Sequence, residues 1–150
     1  MEPVAILLVE DNPQDVEMTL RAFHKRRCMN PIHVARDGEE ALDYIHRRGR
    51  FAEGAPVPGV ILLDLVLPRI HGLEVLRQIR IHPVYRTVPV VVLTTSQEDV
   101  NVQQSYELGA NSYIVKPVEF EKFIEVVQRI ELYWTLTNLP LGAGGFPERK

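Results

Sequence analysis

The sequence of 150 residues is poor in cysteine, in net charge and in long apolar runs. Cys28 is the only cysteine, which excludes an intramolecular disulfide and a thiolate-rich zinc site. With 17 Lys and Arg against 20 Asp and Glu, the formal charge is -3, so no strong field draws the chain to nucleic acid or anionic lipid. The first apolar run, residues 4–9, lacks a basic leader and is too short to span a membrane. We therefore expect a cytoplasmic protein with no nucleic-acid and no membrane partner.

Short apolar runs alternate along the chain with stretches of helical periodicity. The strands are predicted at residues 4–9, 32–35, 60–63, 88–94 and 112–115. The first predicted helix starts at Pro13, with Asn12 as its N-cap. The second follows the turn at Asp37 and Gly38, and the third follows Gly72. The last two helices are predicted over about 98–108 and 119–134. The segment 49–59 holds three glycines and two prolines, and it predicts an irregular loop.

Five strands and five helices in strict alternation predict a single α/β domain. Right-handed crossovers then give a parallel sheet that is covered on both faces, a flavodoxin-like doubly wound fold with strand order 2-1-3-4-5. The first helix is expected to bury Val16, Leu20 and Phe23 along one face.

Acidic residues follow two of the predicted strands. Glu10 and Asp11 come directly after the first strand, and Asp64 comes directly after the third. In an open sheet of this order, ligands bind beyond the carboxyl ends of these two strands. Three carboxylates in one crevice repel one another unless a cation joins them. Because the ligands are oxygens only, the sequence predicts a hard divalent ion, Mg²⁺.

Two donors follow the remaining strands at the same edge. Thr94 ends the fourth strand with a hydroxyl group, and Lys116 follows the fifth with an ammonium group. Both groups can bind phosphoryl oxygens. A carboxylate nucleophile, a metal ion, a lysine and a threonine are typical of in-line transfer of a phosphoryl group, here onto Asp64.

Four segments at the ends of four strands carry a family resemblance. They are VEDN at 9–12, LLDLVLPRIHG at 62–72, VVVLTTS at 90–96 and SYIVKP at 112–117. Together they resemble the receiver domain of two-component response regulators over about residues 4–133. The resemblance implies that Asp64 is the phospho-acceptor, that Asp11 binds Mg²⁺ directly, and that Glu10 binds it through water. It also implies that the backbone carbonyl of Val66 completes the metal ligands.

The same resemblance implies a conformational switch. Thr94 and Lys116 contact the phosphoryl group, and Tyr113 is the aromatic residue that turns when Thr94 moves inward. The face formed by the fourth helix, the fifth strand and the fifth helix then changes shape. The family also implies a cis peptide between Lys116 and Pro117.

The resemblance and the tail together suggest the partners. Residues 1–133 are expected to form the receiver domain and residues 134–150 a tail with no output domain, so the signal passes by protein contact. The phosphoryl donor is expected to be a sensor histidine kinase. The tail is similar to that of regulators paired with bacterial phytochromes. Its apolar residues favour a homodimer through the fourth helix, fifth strand, fifth helix and tail, while folding back over the core is the alternative.

Other classes of protein make different demands on the same residues. A Mg²⁺-dependent aspartyl-phosphate phosphatase needs a second acid two residues after the nucleophile, where this chain has Val66. A flavodoxin needs a hydroxyl-rich loop after the first strand, where this chain is acidic. A pseudo-receiver that never accepts phosphate is a further alternative. We expect a signalling protein that is not an enzyme and that catalyses only its own phosphorylation and slow dephosphorylation.

Overall fold

The protein folds into a five-stranded parallel sheet with order β2-β1-β3-β4-β5, as the sequence predicts. The computed structural model describes residues 4–95, 98–116 and 119–137. The strands are β1 (Ile6–Val9), β2 (Ile32–Ala35), β3 (Val60–Leu63), β4 (Val90–Thr94) and β5 (Ser112–Val115). The helices are α1 (Pro13–Lys25), α2 (Gly38–His46), α3 (Gly72–Ile81), α4 (Asp99–Glu107) and α5 (Phe120–Thr137).

The sheet separates two apolar cores, because successive side chains of a strand point to opposite faces. On one face Leu7, Val9 and Leu63 pack with α2 and α3. On the other, Ile6 and Leu8 pack with α1 and α5. Burial on both faces explains why the central strands read as unbroken apolar runs. Polar residues follow these strands at the edge of the sheet where the strands end.

The buried face of α1 differs from the prediction. Val16 and Phe23 are buried as expected, but Leu20 is 38% exposed and Thr19 is buried in its place. The buried face of α1 is formed by Val16, Thr19, Ala22 and Phe23, and Leu20 lies at the edge of this face. The Thr19 hydroxyl can be buried because it donates a hydrogen bond of 2.8 Å to the carbonyl of Asp15.

The predicted irregular loop 49–59 contains a turn of 3-10 helix at Gly49–Phe51, which corrects the prediction. The turn buries Phe51, whose ring contacts Tyr44 edge to face at 4.9 Å between centroids. Gly49 opens the turn with a φ of +57°, a left-handed conformation that glycine adopts without steric cost. A second short 3-10 turn, Tyr85–Thr87, precedes β4.

Some predictions fall beyond the described residues. The peptide between Lys116 and Pro117 lies outside them, as do residues 138–150 of the predicted tail. Helix α5 continues to Thr137, past the predicted domain limit at 133. Of the described helices, none has both the length and the apolar character that a membrane span requires.

His82 follows α3, and its imidazole accepts hydrogen bonds from two backbone amides, which predicts a pH dependence of stability. Its Nδ1 accepts hydrogen bonds from the amides of Val84 at 3.0 Å and Tyr85 at 3.2 Å. Burial, and then the charge of the neighbouring His46, lower the pKa of His82. The unfolded chain therefore binds this proton more readily than the folded one, and the stabilisation present at neutral pH is lost as the pH falls through the folded pKa.

We expect His82→Asn to flatten this dependence, because an amide oxygen can accept the same hydrogen bonds without titrating. Urea denaturation at about pH 5 and about pH 7.5 measures the free energy of unfolding of both proteins. The wild type should lose more stability than the variant between the two pH values. His24→Asn, at an exposed position of α1, is the control. Equal losses in the wild type and in His82→Asn would contradict the prediction.

Candidate functional site

The register of the sheet brings Glu10 and Asp64 side by side. Val9 and Leu63 are partners in the parallel ladder of β1 and β3, and Glu10 and Asp64 follow them. The amide of Asp64 donates to the carbonyl of Val9 at 3.0 Å, which extends the ladder by one step. Both acids are almost fully buried, with exposed fractions of 2% and 5%. Asp11 is exposed at the rim.

The same register places Thr94 and Lys116 next to these acids. Thr94 pairs with Val115 in the ladder of β4 and β5. The amide of Lys116 donates to the carbonyl of Thr94 at 2.8 Å. Since β4 neighbours β3, the buried Thr94 side chain and the buried lysine lie at the edge where Asp64 emerges.

The ammonium group of Lys116 is the centre of the site. Its Nζ donates to Glu10 Oε1 at 2.5 Å, to Asp15 Oδ2 at 2.8 Å and to Asp64 Oδ2 at 3.1 Å. An ammonium group has three protons, so these bonds use its full donor capacity. The other oxygen of Asp64, Oδ1, accepts a hydrogen bond of 3.0 Å from the amide of Val66. The carboxylate of Asp64 is therefore held from two sides.

Asp15 is the site residue that sequence reasoning missed. It lies in the first turn of α1, where an acid is ordinary because it complements the helix dipole. Asn12 is the N-cap of α1, because its Oδ1 accepts hydrogen bonds from the amides of Gln14 and Asp15. The amide of Asn12 in turn donates to Glu10 Oε2 at 3.2 Å. The Asp15 carboxylate is thus not needed by the cap and reaches Lys116 instead.

The charges in the site shift two pKa values. Burial raises the pKa of Glu10 to about 7, although the hydrogen bond and the charge of Lys116 act in the opposite direction. For Lys116, burial favours the neutral form, but the hydrogen bonds to Asp15 and Glu10 and the charges of the acids outweigh it and raise the pKa. The lysine is therefore cationic, and it partly offsets the repulsion among the carboxylates.

Three of the acids fit a divalent metal ion. Glu10, Asp11 and Asp64 each offer one oxygen, and these atoms lie within 4.8 Å of one another. Asp15 adds a fourth carboxylate, so the described part of the site carries more negative charge than Lys116 neutralises. An all-oxygen ligand set suits hard cations such as Mg²⁺ or Mn²⁺. The described residues supply both the ligands and the excess charge that such an ion requires.

The loop after Asp64 turns back tightly and depends on Gly72. A Cβ at this position would lie 2.4 Å from the carbonyl oxygen of Asp64 and 2.4 Å from the Cα of Leu65. These are backbone atoms that cannot rotate away. The amide of Gly72 donates to the carbonyl of Leu65 at 2.8 Å. Glycine at 72 thus allows α3 to begin directly against the backbone that carries Asp64.

The remaining predicted residues lie close by. Val66 is 53% exposed, and its carbonyl stays a predicted metal ligand. Tyr113 is half-buried on β5, packs against the core beneath α2 and α3, and lies 6.5 Å from Tyr106 of α4 between ring centroids. Its position between β5 and α4 suits a residue that turns, and the switch role stays a prediction. His71, which is not among the predicted site residues, caps α3 by accepting a hydrogen bond from the amide of Leu73.

Comparison with known sequences agrees with this geometry. A model of the response regulator receiver domain matches residues 6–128. The chain is 42% identical over 135 residues to the probable methanogenesis regulatory protein FilR2 of Methanothrix harundinacea, covering 89% of this chain and 84% of that protein. It is 38% identical over 135 residues to the response regulator Rcp1 of a Synechocystis strain, covering 90% and 91%.

Solved structures show the same similarity in three dimensions. The phosphorylated cyanobacterial phytochrome response regulator RcpA superposes with a TM-score of 0.80 at 36% identity, covering 91% of this chain and 97% of that one. The Mn²⁺-bound form of Rcp1 gives 0.79 at 36% identity, covering 94% and 100%. The bacteriophytochrome response regulator RtBRR gives 0.76 at 47% identity, covering 94% and 86%. Sheet order, strand-end residues and sequence similarity agree, and the chain belongs to the response regulator receiver domain family.

Proposed function

We propose that this chain accepts a phosphoryl group from a sensor histidine kinase onto Asp64. The observation that carries the proposal is the setting of this carboxylate. It is buried at the end of β3, and Lys116 and the amide of Val66 each hold one of its oxygens. A carboxylate fixed in this way loses little conformational freedom when it reacts. The ammonium group of Lys116 is the cation beside it.

The transfer is a substitution at phosphorus. A carboxylate oxygen of Asp64 forms a bond to the phosphorus of a phosphohistidine, and the phosphorus–nitrogen bond breaks. The imidazole nitrogen leaves with the electron pair and takes a proton. Lys116 lies 3.1 Å from Asp64 Oδ2, close enough to donate to an oxygen of the incoming phosphoryl group. Thr94, buried at the same edge, is the proposed second donor.

We propose Mg²⁺ as the metal, with Glu10, Asp11 and Asp64 as the side chains that hold it. Bound there, it would neutralise charge on the transferred phosphoryl group. The chain's own contribution is the acidic cluster and the cation beside it. The response that follows is proposed to be a shift between two conformations, in which Thr94 moves toward the phosphoryl group and Tyr113 turns. The chain catalyses only its own phosphorylation and dephosphorylation.

A small phosphodonor tests the function without the kinase. The protein is incubated with acetyl phosphate in the presence of Mg²⁺ or of a chelator, and its intact mass is measured. We expect one added phosphoryl group with Mg²⁺ and none with the chelator, and hydroxylamine should remove it because an acyl phosphate is reactive. A product that resists hydroxylamine, or no product with any donor, would contradict the proposal and favour a receiver that does not accept phosphate.

We propose that the kinase is a bacterial phytochrome. Signalling is proposed to take place in the cytoplasm. The support is the similarity to RcpA and to RtBRR, which are phytochrome response regulators. A light-dependent rate of phosphoryl transfer from a purified phytochrome kinase would support the pairing. Faster transfer from a kinase that lacks a chromophore would contradict it.

We propose that two copies pair through α4, β5 and α5. This face exposes Val100, Tyr106 and Val115, each more than a third accessible, and Leu132 of α5 is 59% exposed. A two-fold pair would cover these side chains. Light scattering with size exclusion, at micromolar protein with and without phosphodonor, measures the mass. We expect a dimer that Tyr106→Glu weakens, with Met29→Glu, at an 82% exposed position elsewhere, as the control. A monomer under both conditions would contradict the proposal.

A further inference from the structure

The three acceptors of the Lys116 ammonium group differ in what else they do. Glu10 and Asp64 belong to the group of carboxylates that fits a divalent ion, whereas Asp15 does not. A cation bound to Glu10 and Asp64 competes with the ammonium group for the same oxygens and repels it. Asp15, at 2.8 Å, is then the acceptor that still attracts Lys116.

The backbone of Asp15 is fixed at the start of α1. Its amide donates to Asn12 Oδ1 at 3.2 Å, and its carbonyl accepts from the Thr19 hydroxyl at 2.8 Å. The next residue, Val16, is buried in the core between the sheet and α1. The Asp15 side chain keeps 28% of its surface exposed, against 2% for Glu10, so it loses less solvation than Glu10 when charged.

We propose that Asp15 is a positioning residue that keeps the Lys116 ammonium group beside Asp64 when a divalent ion engages the other acids. This inference rests on the proposed function, since the lysine is placed for a phosphoryl group that Asp64 receives. Asp15 contacts neither the transferred group nor the metal. It acts through Lys116, and no other described residue outside the metal-binding group accepts a hydrogen bond from the ammonium group of that lysine.

The first test observes the lysine directly. Nitrogen-15 spectra of the lysine ammonium groups, recorded at saturating Mg²⁺ without phosphodonor, report whether the Lys116 protons are protected from exchange. We expect a protected Lys116 signal in the wild type and its loss in Asp15→Ala. Glu17→Gln removes a charge from an exposed position on the same helix and should leave the signal intact. Unchanged protection in Asp15→Ala would overturn the proposal.

The second test asks whether the effect passes through Lys116. At saturating Mg²⁺ and acetyl phosphate, Asp15→Asn and Asp15→Ala should phosphorylate on the order of tenfold more slowly, the effect of one weakened charge-assisted hydrogen bond. In a Lys116→Met background the same substitutions should change the rate little, because the interaction that they remove is already gone. Equal, additive losses in both backgrounds would overturn the proposal.

The two tests separate this inference from the proposed function. If the wild type takes up no phosphoryl group but Asp15→Ala loses the protected Lys116 signal, the function fails and the positioning role stands. If phosphorylation proceeds and neither variant of Asp15 changes the signal or the rate, the function stands and the positioning role fails.

Discussion

Replacing Asp64 with asparagine is expected to abolish phosphorylation and to leave the fold intact. The amide has nearly the shape of the carboxylate, and its oxygen can still accept a hydrogen bond from Lys116 or from the amide of Val66. It lacks the anionic oxygen that attacks phosphorus. Intact mass after incubation with acetyl phosphate and Mg²⁺ should show no added group, where the wild type shows one.

Asp37→Asn is the matched control for this variant. Asp37 follows β2 at the same edge of the sheet and caps α2 by accepting from the amide of Glu40 at 2.8 Å. Asparagine is an equally good N-cap, so this change costs little stability. The control should be phosphorylated like the wild type. An Asp64→Asn protein that still gains one hydroxylamine-sensitive phosphoryl group would show that another carboxylate is the acceptor.

The sheet order and the strand-end residues could be predicted from the sequence, because strands that are buried on both faces appear as continuous apolar runs. β1 and β3 have no exposed side, so each reads as an apolar run, and the first polar residue after the run marks the edge of the sheet. Parallel order then places Glu10 beside Asp64 without any further information. The same logic predicted Thr94 and Lys116.

Features set by tertiary contacts could not be predicted in this way. The turn at Gly49–Phe51 lies in a segment whose glycines and prolines indicate a loop, yet it forms because Phe51 has an apolar partner in Tyr44. The Arg50 guanidinium lies 4.3 Å from the centroid of the Phe51 ring and donates to the carbonyl of Val34 at 2.7 Å. Tyr44 and Val34 lie outside the segment 49–59, so the composition of that segment does not reveal them.

Asp15 was missed for a different reason. An acid in the first turn of a helix has a sufficient local explanation in the helix dipole, and its sequence signal is the same whether or not a distant lysine faces it. Lys116 is 101 residues away along the chain. Only the packing of α1 beside the end of β5 identifies the pair.

Replacing Lys116 with methionine is expected to destabilise the protein strongly when no divalent ion is present. Methionine keeps the length of the side chain but removes the only cation that the described structure places among Glu10, Asp15 and Asp64. Breaking a buried ion pair by removing one partner costs about 3–5 kcal/mol, because the remaining charges stay buried. Urea denaturation in the presence of a chelator should show this loss in the free energy of unfolding.

Added Mg²⁺ should then restore more stability to Lys116→Met than to the wild type. The ion neutralises acids that no longer have the ammonium group, and it no longer competes with that group for Glu10 and Asp64. Lys122→Met, an exposed lysine of α5, controls for the loss of a lysine and should change neither the stability in chelator nor the gain with Mg²⁺. A Lys116→Met protein as stable as the wild type without metal would mean that the acids do not carry the buried charge on which the metal and phosphoryl chemistry depend.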